Sequence, residues 1–223
     1  MSAHRSIHIP YNMKLRPYHK VVAEKAIKLL PKDGTLIEIG CGVGITLEII
    51  KQNRPDAQII AADIDTHCLQ ITGSRVADAR QILIKEDRPF TELGHNFDLI
   101  IASHVVEHLK NPYDSIKQFM EMLKPGGYLI VAVPNPVRPN IFLGNILKKD
   151  YVNRGHVYAW DRSHWINFLE RILKLNVIEY PVDFIPVFPF SKFTGQPWAR
   201  NLQMAFAKAI PWWSFSNIAI IRK

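Results

Sequence analysis

Two short stretches carry residues whose types and spacing could do chemistry. The first is Glu38-Ile-Gly40-Cys41-Gly42-Val-Gly44. Glycines at alternate positions let a backbone turn sharply and approach a ligand closely. A dinucleotide fingerprint reads G-x-G-x-x-G, whereas the third glycine here arrives one position early and an acid stands two residues before the first. Asp63 closes the next apolar run, where an acid can accept hydrogen bonds from two ribose hydroxyls or simply cap the following helix. Glu86 and Asp87 follow the third apolar run. They could accept from an adenine amino group or form a solvated turn before Pro89. The second stretch is Ser103-His104-Val-Val-Glu107-His108. An imidazole titrates near neutrality, so His104, with His108 beside it, is a candidate base for an acceptor hydroxyl or phenol. A packing or capping role is the competing assignment for His104. His104-x-x-Glu107-His108 also spells a zinc-peptidase pattern, but that chemistry needs a long helix and this stretch leaves a strand.

The elements around these residues alternate. A helix is expected from Lys20 to Leu30, a strand from Thr35 to Ile39 opening into the glycine turn, and a helix from Ile45 to Gln52. Strands at Gln58–Ala62, Gln81–Lys85 and Phe97–Ala102 follow, with a helix near Asp65–Gly73 between the first two. A helix from Pro112 to Leu123 is stopped by Lys124-Pro125-Gly126-Gly127, ahead of a strand at Tyr128–Val133. Apolar strands without polar alternation, separated by helices, mean a parallel sheet covered on both faces. Such a doubly wound sheet places its ligand crevice at the strands' carboxyl ends, where the glycine turn, Asp63, Ser103 and His104 all fall. After Pro136 the rhythm changes. Residues 136–160 read as irregular and basic, Asp161 or Ser163 caps a helix reaching about Leu173, and further strands are expected at Asn176–Tyr180 and Ile218–Ile221.

The bulk composition is that of a globular protein, 48% hydrophobic and 22% charged in 223 residues. No apolar run reaches the roughly 18–20 residues of a membrane-spanning helix. Met1–Pro10 lacks the apolar core of a secretory signal, and Cys41 and Cys68 are too few for a disulfide framework, so a cytoplasmic protein is expected. Charge is uneven: residues 136–223 hold 12 Lys+Arg against 5 Asp+Glu. That excess suits an anionic substrate, a nucleic acid or an acidic membrane surface, or is a solvated face without a partner.

The turn Glu38 to Gly44, Asp63, Phe97-Asp98-Leu99, Leu123-Lys-Pro-Gly-Gly127 and Val133-Pro-Asn135 together resemble the class I S-adenosylmethionine-dependent methyltransferases over roughly residues 20–135. The resemblance implies a seven-stranded, Rossmann-like α/β sheet whose last strand, Asn217–Arg222, runs antiparallel. It implies S-adenosylmethionine as cofactor, with Gly40, Cys41 and Gly42 lining the methionine portion, Asp63 on the ribose, and Glu38 and Ser103 among the cofactor-binding residues. Ile64 would pack on adenine, with Glu86 or Asp87 near its amino group. Lys85-Glu-Asp-Arg88 departs from the family's more usual Gly-Asp pattern there. The region after the fourth strand resembles the ubiquinone-pathway O-methyltransferases and the small-RNA 2′-O-methyltransferases, which carry acid-x-x-Glu-His. Glu107 and His108 match, His104 stands where those families have an acid, and His156 fits a histidine that the RNA enzymes add. If the imidazoles and the carboxylate meet, they suit Zn, Fe or Mn better than Mg. The assignment taken from sequence is nonetheless His104 and His108 as catalytic groups and no metal ligand.

One domain spanning 1–223 is expected: a cofactor-binding core over 20–135, an acceptor-binding lid with the sixth strand over 136–213, and the final strand over 217–223. The lid holds Trp160, Trp165, Phe184, Phe188, Phe190, Phe193, Trp198, Phe206, Trp212 and Trp213 with Arg138, Lys148, Lys149 and Arg154, which fits an aromatic or lipophilic, anionic small-molecule acceptor. Pro197–Ile210 has the spacing of an amphipathic helix, read as ordinary core packing, with membrane contact as the alternative. Small-molecule O-methylation is the leading expectation. RNA methylation and a non-catalytic cofactor-binding role are the others.

Overall fold

A computed structural model describes residues 15–85, 87–147, 155–183 and 197–223. Seven strands form one sheet: β1 (Thr35–Ile39), β2 (Gln58–Asp63), β3 (Arg80–Leu83), β4 (Phe97–Ser103), β5 (Leu123–Pro134), β6 (Val177–Glu179) and β7 (Ser216–Arg222). Their spatial order is β3-β2-β1-β4-β5-β7-β6, and β7 runs antiparallel to both of its neighbours. The expected doubly wound sheet is therefore present, antiparallel last strand included.

Strand side chains point alternately to the two faces, and each face has its own core. Leu36, Ile59, Ala61, Leu99, Ile101, Ile130 and Ile220 pack beneath α1 (Pro17–Leu29), α2 (Ile45–Asn53) and α3 (Thr66–Arg75). Ile37, Ile39, Ile100, Leu129, Val131 and Ala219 face α4 (Pro112–Met122) and Trp165 of α6 (Arg162–Asn167). Burial on both faces explains the unbroken apolar runs that identified the strands.

Capping follows local chemistry. Asp65 accepts from the His67 N–H at the start of α3, Asn111 from the Asp114 N–H ahead of Pro112, and Asp161 from the His164 N–H at α6. The expected helix after Asp161 is α6 followed by one π turn over Phe168–Ile172.

Four readings from sequence are corrected. The helix stops ahead of Lys124-Pro-Gly-Gly as expected, but the strand expected from Tyr128 starts earlier: β5 begins at Leu123, paired with Phe97. A register shift there brings Gly127 close to the Phe97 and Asp98 carbonyls. A Cβ on Gly127 would lie 3.1 and 3.2 Å from those oxygens, so a larger residue would force the two strands apart. Residues 136–160 are not wholly irregular, because α5 (Pro139–Leu147) occupies part of them. Pro139 serves as a first-turn residue rather than a breaker, and the Ile141 and Phe142 N–H groups donate to the Arg138 carbonyl. Trp160 and Trp165 belong to the core instead of a lid; Trp165 is fully buried and both rings lie against Phe168. Finally, α7 (Pro197–Ala209) turns its aromatic side outward rather than into the core. Phe184, Phe188, Phe190, Phe193, Lys148, Lys149 and Arg154 lie outside the described residues.

Candidate active site

The turn between β1 and α2 is built as its glycines require. Gly40, Gly42 and Gly44 all have left-handed φ, at 70°, 53° and 74°. A Cβ on Gly40 would lie 2.2 Å from Val105 Cγ2, so the turn also packs tightly against the loop after β4. The Gly40 N–H donates to the Ala62 carbonyl at 2.8 Å and the Gly42 N–H to Asp63 Oδ2 at 2.8 Å. Asp63 thus braces the turn from the end of β2, and its Oδ1 accepts from the Asp65 N–H. Burial raises the Asp63 carboxyl above its ordinary range, against the hydrogen bonds from Asp65 and Gly42. Each carboxylate oxygen keeps a second lone pair for a ligand hydroxyl.

Around this turn lie groups in want of partners. Glu38 is buried, its Oε2 has no hydrogen-bond partner among the described residues, and burial pushes its carboxyl up to about 8. Ser103 Oγ, at the end of β4, is also buried without one. Burial of the Cys41 thiol pushes its pKa up, so it stays protonated. Ile64 is 58% exposed directly after Asp63, an apolar side chain left to meet a flat ligand face. Asp87 is exposed, and Glu86 lies outside the described residues. Glu38, Gly40, Cys41, Gly42, Asp63, Ile64 and Ser103 therefore meet at one end of the sheet. Orphaned polar atoms beside a glycine cradle fit a nucleoside-bearing cofactor with a charged amino-acid tail.

The loop after β4 supplies the second half of the site. His104 has φ 57°, a conformation that a non-glycine residue holds only where its surroundings impose it. Its ring stacks on Tyr18 of α1 at 4.1 Å and its Nε2 lies 2.9 Å from Ser216 Oγ on β7. The Ser216 N–H donates to Asp183 Oδ1 at 3.0 Å. Ser216 Oγ can donate to or accept from His104 Nε2, according to the tautomer of the ring. His104 Nδ1 faces Glu107 Oε1 at 3.8 Å.

His108 is fixed by a backbone carbonyl. Its Nδ1 lies 2.8 Å from the Gly155 carbonyl, which can only accept, so the lone pair is on Nε2. That atom lies 3.8 Å from Glu107 Oε1, and His156 Nε2 lies 4.0 Å from the same oxygen. His156 is delivered by backbone pairing: the Val157 and Tyr158 N–H groups both donate to the Glu107 carbonyl. Ligand atoms of Glu107, His108 and His156 all lie within 4.8 Å of one another.

Glu107 is 1% exposed and neither of its carboxylate oxygens has a hydrogen-bond partner among the described residues. Burial pushes its carboxyl up to about 8. His104 and His156 do not offset this by becoming charged. Burial holds His104 well below its ordinary range, aided by the Arg138 guanidinium, and burial with neighbouring His108 lowers His156 to about 4. A buried carboxylate facing nitrogen lone pairs is costly unless a proton or a cation lies among them. Neutral imidazoles and one carboxylate are the donors that a divalent transition metal takes.

Sequence reasoning named the cluster but missed its supports. Tyr18, Asp183 and Ser216 lie in segments without any motif, and only the closing of the sheet brings them to His104. Phe215 is a fourth such residue; the Arg138 guanidinium stacks over its ring at 4.1 Å.

Known proteins share the family and the fold of this chain. A family model described as "Methyltransferase domain" matches residues 12–173. The malonyl-[acyl-carrier protein] O-methyltransferase of Priestia megaterium is 25% identical over 114 residues, 51% of this chain and 42% of that protein. A mitochondrial ubiquinone biosynthesis O-methyltransferase of Rattus norvegicus is 25% identical over 183 residues, 77% of this chain and 52% of that one. A ubiquinone biosynthesis O-methyltransferase of Caulobacter sp. is 27% identical over 203 residues, covering 81% and 75%. The chain spans about half the length of the first two. Among solved structures, the plantazolicin methyltransferase BpumL in complex with SAH matches with a TM-score of 0.59 and 18% identity, covering 93% of this chain and 82% of that one. Coclaurine N-methyltransferase matches with a TM-score of 0.61 and 12% identity, covering 92% and 72%.

Proposed function

The chain belongs to the methyltransferase domain family, in the class I fold that uses S-adenosylmethionine, and from that premise we propose that it methylates an oxygen nucleophile on an aromatic or lipophilic small molecule with the help of a divalent cation. The observation that carries the metal reading is the buried Glu107 carboxylate, without a hydrogen bond among the described residues and faced by imidazole nitrogens at 3.8–4.0 Å. Two of the relatives compared are named as O-methyltransferases of ubiquinone biosynthesis and one as an O-methyltransferase of a malonyl carrier protein, which supports oxygen as the accepting atom.

S-adenosylmethionine supplies a methyl carbon on a sulfonium, and transfer needs an acceptor oxygen in line with it. Gly40, Cys41 and Gly42 hold the methionine end, Asp63 the ribose, and Ile64 one face of the adenine. Ser103 and Glu38 supply the polar contacts that burial leaves unmet. Glu107, His108 and His156 would hold the cation, whose Lewis acidity would favour deprotonation of an acceptor hydroxyl. His104, its ring fixed by Tyr18 and Ser216, turns Nδ1 toward the same place and is the candidate base for an acceptor proton there. Arg138 adds positive charge at the site's edge, which suits an acceptor with an anionic group.

The test is formation of S-adenosylhomocysteine by purified protein with a panel of alkylphenols, catechols and carboxylates. Activity should need an oxygen acceptor, disappear with EDTA and return with Mn²⁺ or Zn²⁺. Glu107→Gln and His156→Ala should lose bound metal by elemental analysis while still binding S-adenosylhomocysteine. Full activity after chelation sinks the metal reading, and turnover with amine acceptors alone sinks the oxygen reading. Convergence of His156 on Glu107 and His108 also favours a second reading, RNA 2′-O-methylation. Salt-sensitive binding of single-stranded RNA separates it from the first.

A further inference from the structure

α7 is built inside out. Trp198, Leu202 and Phe206 stand four residues apart and so share one face of the helix. They are 54%, 37% and 45% exposed, whereas Gln203 and Ala207, on another face, are 1% and 0%. A helix held by the core alone would turn its aromatic stripe inward and its glutamine outward. The apolar surface continues past the helix into Trp212 and Trp213, 53% and 42% exposed in the turn Pro211–Trp213. Phe215 follows immediately, 6.2 Å from the His104 ring. The outward apolar face thus leads along the chain to the edge of the active site.

We propose that this face of α7, with Trp212 and Trp213, docks the protein on the surface of an anionic lipid bilayer. Charge decides between that occupant and a second copy of the chain. Residues 136–223 hold 12 Lys+Arg against 5 Asp+Glu. The whole chain carries a net charge of +8, so two copies repel each other, while anionic headgroups attract either one. Tryptophan suits the boundary between headgroups and acyl chains, where its ring is half apolar and half polar. The exposed Lys208 beside a Trp, Leu and Phe face suits a helix lying in the bilayer interface. No helix among the described residues is long and apolar enough to cross a membrane, so the mode is surface attachment. The inference does not depend on the acceptor or on the metal.

The experiment is vesicle flotation of the whole protein with phosphatidylcholine vesicles containing phosphatidylglycerol, and with phosphatidylcholine alone. The wild-type protein should float with the anionic vesicles, less so at high salt, with a blue shift of tryptophan emission. Trp198→Ser with Phe206→Ser should lower the bound fraction at least about tenfold, because it removes two interfacial anchors. Lys208→Glu should weaken binding to anionic vesicles only. Ile172→Ser, which removes an exposed apolar side chain elsewhere, should change nothing. Unchanged melting temperature and S-adenosylhomocysteine binding show that the variants are folded. Absence of flotation, or flotation that the double variant leaves intact, overturns the proposal. It is equally overturned by dimerisation in light scattering that the double variant abolishes while vesicles bind neither protein.

Discussion

His104 and Ser216 are 112 residues apart in the chain and are joined by a contact of 2.9 Å between Nε2 and Oγ. One follows the fourth strand and the other starts the seventh, so the contact ties the candidate base to the last strand of the fold. A base at this place needs its lone pair on Nδ1, the nitrogen turned toward Glu107, so the serine contact is expected to hold the proton on Nε2. Nitrogen-15 NMR of the protein should show His104 neutral at pH 7 and protonated at Nε2. Ser216→Ala should mix the two tautomers, and turnover should fall roughly 10–100-fold with cofactor affinity intact. A His104 signal unaffected by Ser216→Ala would remove the serine from this role.

Asp63 braces the glycine turn and keeps lone pairs for a ligand. Asp63→Ala should weaken S-adenosylhomocysteine binding by about 1–3 kcal/mol in calorimetry, through loss of charge-assisted hydrogen bonds. Asp63→Asn should recover part of that loss, since it retains an acceptor oxygen. Unchanged affinity in a folded Asp63→Ala protein would limit this residue to bracing.

Asp183 is fully buried, and burial pushes its carboxyl up to about 7 from the ordinary 3.8. The folded state therefore holds this proton more tightly than the unfolded chain does. Stability is unaffected below the unfolded pKa and is lost progressively as pH rises from about 4 toward 7, up to roughly 4 kcal/mol. Asp183→Asn keeps an oxygen for the Ser216 N–H and abolishes the titration. The difference in melting temperature between variant and wild type should widen in the variant's favour between about pH 4 and pH 8. A difference that stays constant with pH would show that Asp183 ionises freely in the fold.

Trp165 lies fully buried on the face covered by α4 and contacts Trp160 and Phe168. Trp165→Ala should cost about 3–5 kcal/mol in urea unfolding, as large-to-small changes in a packed core do. A loss below about 1 kcal/mol would return this residue to the lid.

The residues of the chain by themselves determined the core of this protein. Its strands announce themselves because β1, β2, β4 and β5 are covered on both faces and must be apolar throughout. The glycine turn is legible because Gly40, Gly42 and Gly44 all take positive φ, and a Cβ on Gly40 or Gly44 would run into Val105 or Thr72. Asp63 follows from its place at a strand end, where the doubly wound topology concentrates ligands. Other features were decided only in three dimensions. His156 reaches Glu107 because Val157 and Tyr158 pair with the Glu107 carbonyl, a contact that no local pattern encodes. Ser216, backed by Asp183, reaches His104 because antiparallel insertion of β7 beside β5 sets the start of the last strand near the loop after β4, and Tyr18 arrives there from α1. The periodicity of α7 shows that it has an apolar side, but not which way that side points. That is set by what lies beneath Gln203 and Ala207, because a helix's spacing fixes its faces and only its neighbours fix their direction.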